Sequence, residues 1–231
     1  MQSLAHARRL IAAERELTRI FTGLFELKRR EPGEDVISRL VAVEGDTIQP
    51  DELVPLCKLL LIAGFETTVN LIGNTVMALL EHPDQWRLLT ENPQLAERAV
   101  EETLRFDAPV QRTVRHAGQD VVLRGTAVNA GQSMVLLIGG ANRDPEAYPD
   151  PDRYDILRES SVDHLAFSAG IHYCLGAPLA RLEATIAVRS LAERFPDLAR
   201  SGPARRRPGS VIRGLQTFPV ATGRTVVTVS R

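Results

Sequence analysis

The chain has 231 residues, of which 44% are hydrophobic and 25% are charged, and its formal net charge is −1. This composition is typical of a soluble globular chain with one sizeable core, and it disfavours a nucleic-acid-binding protein. Only two cysteines occur, Cys57 and Cys174, so we expect no disulfide framework and a reducing, cytoplasmic environment. Residues 1–30 are charged throughout, and we therefore expect neither a signal peptide nor a membrane anchor.

Apolar spacing predicts helices in the first part of the chain. The first runs from Ser3 to Arg30 and ends at Glu31-Pro32-Gly33. A short second helix is expected to bury Val36, Ile37, Leu40 and Val41. The third begins near Pro50 and continues to Leu80, before His82-Pro83. Because this long helix is apolar on nearly every side, we expect it to be buried in the middle of a domain.

The remainder is predicted to mix short helices with short strands. The predicted helices are Trp86–Glu91, Pro93–Phe106 and Gly176–Phe195. The predicted strands lie within 110–117, 121–123, 127–128, 134–141 and 225–229, and residues 212–220 are expected to form a hairpin. Residues 141–158 are predicted to form an irregular segment, which we call the meander. The basic run Arg205-Arg206-Arg207 is expected to be a solvated loop.

Cys174 lies in a glycine-punctuated loop directly before the last helix, where Pro178 suits the first turn. At a helix N-terminus the free N–H groups favour an anion, and the thiolate is the form of cysteine that ligates metal. The apolar face of that helix is predicted to continue through Leu179, Leu182, Ile186 and Leu191. For an isolated cysteine, a small buried side chain at a loop-to-helix junction is the simpler interpretation.

The loop sequence favours the metal-ligand interpretation. It resembles the haem-binding signature of the cytochrome P-450 family, with matches at Phe167, Gly170, His172, Cys174 and Gly176. Ser168 stands where the family pattern has glycine. The resemblance implies haem b (iron protoporphyrin IX) as cofactor, with Cys174 as the protein ligand of the iron.

A second motif interrupts the long helix at residues 63–68, where Gly, Thr and Thr all weaken a helix. From the residues alone, a kinked core helix with a partnered buried Glu is at least as good an interpretation. The hexad resembles the family's oxygen-activation motif. The resemblance implies that Glu66 and Thr67 deliver protons to dioxygen and that Ala63 and Gly64 leave room for it.

Glu102 and Arg105 are spaced to share one helix face, which by itself is a common surface pattern. Together with Pro151-Asp152-Arg153-Tyr154 they resemble the family's buried triad, and the resemblance assigns its members to Glu102, Arg105 and Arg153. Such a triad must remain complete, because an unpaired buried charge is costly.

The resemblance places Arg115 and His172 at the haem propionates, with Arg112 as an open alternative to Arg115. It further places four residues in a substrate pocket: Val110, Gln111, Gln216 and Thr217.

These matches predict a mainly α fold with small β elements. The expected fold is that of a cytochrome P-450 of the soluble bacterial type, and residues 1–231 would form a single partial domain that lacks the N-terminal part. The implied activity is a haem-thiolate monooxygenase that inserts one oxygen atom from O2 into a small organic molecule. Electrons would come from a ferredoxin with its reductase or from another flavin-type donor. The alternative is a truncated, non-catalytic haem-binding or inert remnant of such an enzyme.

Overall fold

The computed structural model describes residues 4–160, 162–209 and 211–223. Its α-helices are α1 (Leu4–Arg30), α2 (Val36–Ala42), α3 (Leu53–Glu81), α4 (Pro83–Glu91), α5 (Ala96–Phe106), α6 (Ile138–Ala141) and α7 (Ala177–Arg194). The predicted helices are confirmed to within a few residues. The chain divides into two compact units, Met1–Phe65 and Glu66–Arg231, with the boundary inside α3.

The first unit has a small core around Phe25, Leu53 and Cys57. Asp35 caps the N-terminus of α2, because its carboxylate accepts a hydrogen bond from the backbone N–H of Ser38 at 3.0 Å. Val36 was expected on the buried side of α2. That expectation is wrong: Val36 is exposed, whereas Ile37, Leu40 and Val41 pack against the core of this unit.

The expectation that α3 is buried along its length is also wrong. In its first half Leu59, Ile62 and Phe65 are 62%, 60% and 71% exposed, whereas Leu71 and Leu79 in its second half are buried. Over the part of the chain that the structure describes, α3 is the one helix long and apolar enough to cross a membrane, by length and composition only. Core helices of soluble proteins meet the same criterion, so this property is weak evidence for a membrane span.

The second unit has a larger core, formed by the second half of α3, by α4, α5 and α7, and by the meander. Small side chains line the contact between α5 and α7, including Ala96 and Ala99 on α5 and Ala184 on α7. Small residues let helix backbones approach closely, and they decide which face of α7 is buried.

The predicted apolar face of α7 is therefore wrong at three of its four positions. Leu179, Leu182 and Ile186 are 58%, 57% and 55% exposed, whereas Leu191 packs against the core. The buried residues of α7 are Ala177, Ala184, Val188 and Ala192. Close packing on small residues outweighs the tendency of larger apolar side chains to be buried.

Within the described residues, eight short strands pair as four two-stranded antiparallel sheets. They are β1 (Thr113–His116) with β4 (Ser133–Leu136), β2 (Val121–Leu123) with β3 (Thr126–Val128), β5 (Ala199–Arg200) with β8 (Val220–Ala221), and β6 (Arg205–Arg206) with β7 (Leu215–Thr217). The predicted hairpin over 212–220 is wrong, because β7 and β8 pair with different strands. The predicted strand at 225–229 lies outside the described residues.

Candidate functional site

The loop before α7 is shaped by two residues with left-handed backbone conformations. Ser168 has φ +63° and Gly170 has φ +65°, and residues Gly170–His172 form a single 3-10 turn. The turn brings Cys174 back onto the start of the loop, where its N–H donates to the carbonyl of Phe167 at 2.9 Å. Ala177 N–H then donates to the carbonyl of Cys174 at 3.2 Å as α7 begins.

The surface around Cys174 is open and apolar. The cysteine itself is exposed, Ile171 is 97% exposed and Leu175 is 81% exposed. A Cβ added to Gly170 would meet no heavy atom within 4 Å, and one added to Gly176 would meet only the Cys174 Sγ, at 4.0 Å. Exposed apolar side chains in such a concentration mark a surface that is covered in use. The thiol is therefore accessible to a ligand that could also cover the exposed apolar side chains beside it.

Arg115 is brought against this loop from β1. Its Nη2 lies 3.4 Å from the Ser168 hydroxyl, and its Nη1 donates to the Thr113 hydroxyl at 3.1 Å. His172 is exposed within the 3-10 turn. Thus the two predicted propionate ligands lie in, or in contact with, the same loop. Arg112, the alternative to Arg115, precedes β1.

Glu102 and Arg105 form a buried two-pronged ion pair on α5. Arg105 Nε and Nη2 each donate to a Glu102 carboxylate oxygen at 2.8 Å, and both side chains are almost completely buried. A second guanidinium approaches Glu102, but it belongs to Arg158, whose Nε lies 3.2 Å from Oε1. The prediction that the Arg153 side chain pairs with Glu102 is therefore wrong, because Arg158 makes that contact.

Arg153 instead contributes its backbone. Its carbonyl accepts hydrogen bonds from Arg105 at 3.1 Å and Arg158 at 2.7 Å, while its 66%-exposed side chain pairs with Asp155 at 3.3 Å. The two buried guanidinium groups thereby hold the meander against α5.

Sequence reasoning missed a second cluster, centred on Glu101. Arg181 of α7 donates to both Glu101 oxygens, at 2.7 and 3.1 Å, and His164 Nε2 lies 3.1 Å from Oε2. Burial raises the pKa of Glu101, but hydrogen bonds from His164 and Arg181 outweigh it and lower the pKa to about 2. The three residues are far apart in sequence, and no motif signalled the cluster.

The hexad at residues 63–68 is helical throughout and lies within α3. Glu66 Oε1 forms an ion pair with Arg207 Nη1 at 3.1 Å, and both side chains are about half exposed. Thr67 is half-buried and follows Glu66. On the other side of the unit boundary, a Cβ added to Gly64 would meet no heavy atom within 4 Å.

The basic run is not the solvated loop that was expected. Arg206 Nη2 lies 2.6 Å from Oδ2 of the buried Asp107, and Arg213 Nε lies 2.7 Å from its Oδ1. Arg207 pairs with Glu66. The run is anchored because Asp107, at the end of α5, is a buried charge that requires partners.

Two of the predicted pocket residues pack against the segment that follows residue 210. Val110 bridges to Ile212, and Gln111 N–H donates to the carbonyl of Val211 at 2.8 Å. The Gln111 amide donates to the carbonyl of Ala108 at 2.7 Å. Gln216 and Thr217 are exposed on β7.

The cytochrome P-450 family model matches residues 25–199 of the chain. Curated relatives include cytochrome P-450 107B1 of Saccharopolyspora erythraea, 48% identical over 87% of this chain and 51% of the relative. Another is the vitamin D(3) 25-hydroxylase of Pseudonocardia autotrophica, 46% identical over 92% of this chain and 54% of the relative. The chain thus spans about half the length of these curated relatives.

Solved structures agree with this family match. The econazole-bound CYP164A2 of Mycobacterium smegmatis has a TM-score of 0.89 and 43% identity, and the match covers 96% of this chain and 55% of that one. The corticosterone complex of CYP109E1 from Bacillus megaterium has a TM-score of 0.91 and 37% identity, over 96% of this chain and 61% of that one. The fold is therefore that of these structures over the part that the chain covers.

Proposed function

The chain belongs to the cytochrome P-450 family, and on this basis we propose that it is a haem-thiolate monooxygenase acting on small organic molecules. One observation carries the proposal beyond family membership. The single exposed thiol among the described residues, that of Cys174, lies at the start of α7 in a loop whose neighbouring side chains are apolar and exposed. We further propose that residues 1–231 form part of one domain.

The residues present fit haem b. Cys174 would hold the iron, because its thiol is exposed and the thiolate is the form of cysteine that ligates metal. Arg115 and His172 offer cations or N–H donors for the two propionates. Phe167, Gly170 and Gly176 would form part of the surface that binds the haem. When bound, a haem with thiolate ligation supplies the oxidising chemistry that inserts an oxygen atom into a substrate bond.

Proton supply is assigned to the hexad of α3. The Thr67 hydroxyl and the Glu66 carboxyl would form a short relay, which moves protons while limiting the access of bulk water. Ala63 and Gly64 carry little or no side chain and leave space beside the helix. Arg207, which pairs with the Glu66 carboxylate at 3.1 Å, is assigned to the relay as a positioning residue.

Structural support is assigned to Glu102, Arg105 and Arg153, with Arg158 in place of the Arg153 side chain. Their bonds to one another and to the meander fix the segment that leads to the cysteine loop. Substrate contacts are assigned to a separate set of residues: Val110, Gln111, Gln216 and Thr217.

Partners and location are proposed by analogy with the family. We propose that a ferredoxin with its reductase, or another flavin-type donor, delivers electrons. We propose a cytoplasmic, bacterial enzyme with no membrane or nucleic-acid partner. Steroid-like molecules are the substrate class to test first. One similar protein is a vitamin D(3) 25-hydroxylase, and another has a solved structure in complex with corticosterone.

A second candidate is a non-catalytic haem-binding or inert remnant of such an enzyme. The remnant is favoured by the exposed apolar side chains in the first half of α3, such as Leu59, Ile62 and Phe65. An uncovered apolar surface of this kind promotes aggregation.

Haemin titration of the purified chain separates the two candidates. A working enzyme should bind one haem per chain and consume O2 when a ferredoxin system supplies electrons. In that case Thr67→Ala should divert oxygen to hydrogen peroxide, whereas Thr90→Ala on α4 should behave as the wild type. Absence of haem uptake would support the inert remnant, and haem uptake without electron-dependent O2 consumption would support the non-catalytic binder.

A further inference from the structure

One guanidinium on α7 contacts both sides of the cysteine loop. The Cζ atom of Arg181 lies 4.6 Å from the ring centroid of Phe167, and its Nη1 donates to the Tyr173 hydroxyl at 3.1 Å. Phe167 supplies the carbonyl that accepts the N–H of Cys174, and Tyr173 directly precedes that cysteine. Arg181 therefore reaches the two residues whose positions define where the Cys174 backbone lies.

The same guanidinium is fixed to α5. Its Nε and Nη2 donate to the two oxygens of Glu101, a two-pronged geometry that leaves the planar group little freedom to rotate. The hydrogen bonds to Glu101 and to Tyr173 raise the pKa of Arg181 despite the opposing effect of burial. A cation held in this way over an aromatic face is more strongly attracted than one in water.

His164 holds the carboxylate from the third side. The Ala166 N–H lies 3.3 Å from Nδ1, which accepts it, so in this tautomer Nε2 carries the hydrogen that points to Glu101 Oε2. The His164 ring also contacts the Phe167 ring, with centroids 5.9 Å apart. The Glu101 carboxylate of α5 thus contacts α7 through Arg181 and the start of the cysteine loop through His164.

We propose that Glu101 and Arg181 are positioning residues that fix the Cys174 loop on α5, and that they thereby set the orientation of the thiolate toward the iron. The effect on the iron rests on the proposed haem-thiolate function, whereas the contacts of Glu101 and Arg181 with the loop do not. It is distinct from the Glu102 cluster, whose bonds go to the meander and not to the loop.

The first test uses the haem-free chain. Hydrogen exchange of the Cys174 amide reports its bond to Phe167, and we expect Arg181→Gln to accelerate that exchange by at least about fivefold, as loss of one hydrogen bond would. Arg194→Gln, on an exposed position in the last turn of α7, is the matched control and should leave it unchanged. Equal exchange in the two variants would overturn the proposal.

The second test separates positioning from general stability. With haem bound at equal occupancy, Arg181→Gln should lower the thiolate-type fraction of the reduced carbon monoxide spectrum, and Arg181→Lys should recover part of it. The double variant Glu101→Gln with Arg181→Gln should lose clearly less than the sum of the two single losses, because both substitutions remove the same Glu101–Arg181 pair. Additive losses, or an unchanged spectrum, would contradict the proposal.

The two proposals fail differently. If wild-type chain takes up no haem while Arg181→Gln still accelerates Cys174 exchange, the proposed function fails and the positioning role stands. If wild-type chain binds haem with thiolate ligation and Arg181→Gln changes neither readout, the positioning role fails alone. If Arg181→Gln does not fold, Arg181→Lys and Glu101→Gln carry the same comparison, and unchanged exchange in both would overturn the proposal.

Discussion

The Nε of Arg158 lies 3.2 Å from the Oε1 of Glu102, in a contact where both side chains are largely buried. Together with Arg105 it gives the Glu102 carboxylate two cationic partners, while the Arg153 side chain remains 66% exposed. The meander is therefore held to α5 by a cluster in which Arg153 acts through its carbonyl. Arg153 and Arg158, five residues apart, therefore provide a matched pair for substitution.

Arg158→Gln should destabilise the chain by about 1–3 kcal/mol, because it removes a charged hydrogen-bond partner from a buried carboxylate. Arg153→Gln should change the free energy of unfolding by less than about 0.5 kcal/mol, as expected for an exposed side chain. Urea unfolding of the two variants measures both values. If Arg153→Gln were the more destabilising variant, the result would favour the triad of Glu102, Arg105 and Arg153 that the sequence resemblance implied.

Ser168→Gly should leave the chain as stable as the wild type or stabilise it by up to about 1 kcal/mol. Left-handed backbone costs a non-glycine residue about 1–2 kcal/mol, partly offset by the greater freedom of unfolded glycine, about 0.5–1 kcal/mol. Ser168→Ala keeps the strain and loses the hydroxyl near Arg115, so it should be less stable than the wild type. A destabilised Ser168→Gly, measured by urea unfolding, would show that the Arg115 contact outweighs the strain.

Glu101 should make stability depend on pH. Its pKa in the folded chain is about 2, below the ordinary value of 4.5, so its contribution is present above about pH 4.5 and is lost as the pH falls toward 2. The stability difference between wild type and Glu101→Gln should therefore shrink with acidification below pH 4.5. Glu97→Gln, an exposed substitution on α5, should show no such trend. A difference that stays constant down to pH 3 would refute this assignment.

Asp107→Asn should cost about 3 kcal/mol, because the amide no longer neutralises the two guanidinium groups of Arg206 and Arg213. Asp152→Asn disrupts an exposed ion pair with Arg143 and should cost less than about 1 kcal/mol. Thermal unfolding of both variants tests this contrast. Equal small effects would mean that the basic run is effectively solvated.

Local signals in the sequence predicted the helix boundaries well. Pro32 with Gly33 and His82 with Pro83 end helices for reasons confined to their own backbones, and the structure ends α1 and α3 there. The cysteine loop was assigned by its resemblance to the family signature, which is also a local pattern. Assignments of this kind need no knowledge of distant contacts.

The remaining errors concern choices between distant partners. Nothing in the sequence indicates that Arg158 reaches Glu102 while Arg153 points to solvent, since both arginines flank the same irregular segment. The buried face of α7 was mispredicted because size and hydrophobicity favoured Leu182 and Ile186, whereas close packing on α5 selected Ala184. The Glu101 cluster was missed for the same reason.

The haem-thiolate assignment is tested most directly by the reduced carbon monoxide difference spectrum of the chain after haemin addition, recorded beside Cys174→Ser. We predict the red-shifted Soret band of thiolate ligation in the wild type and its loss in the variant. A haem-loaded wild type without that band, or the same band in Cys174→Ser, would contradict the account.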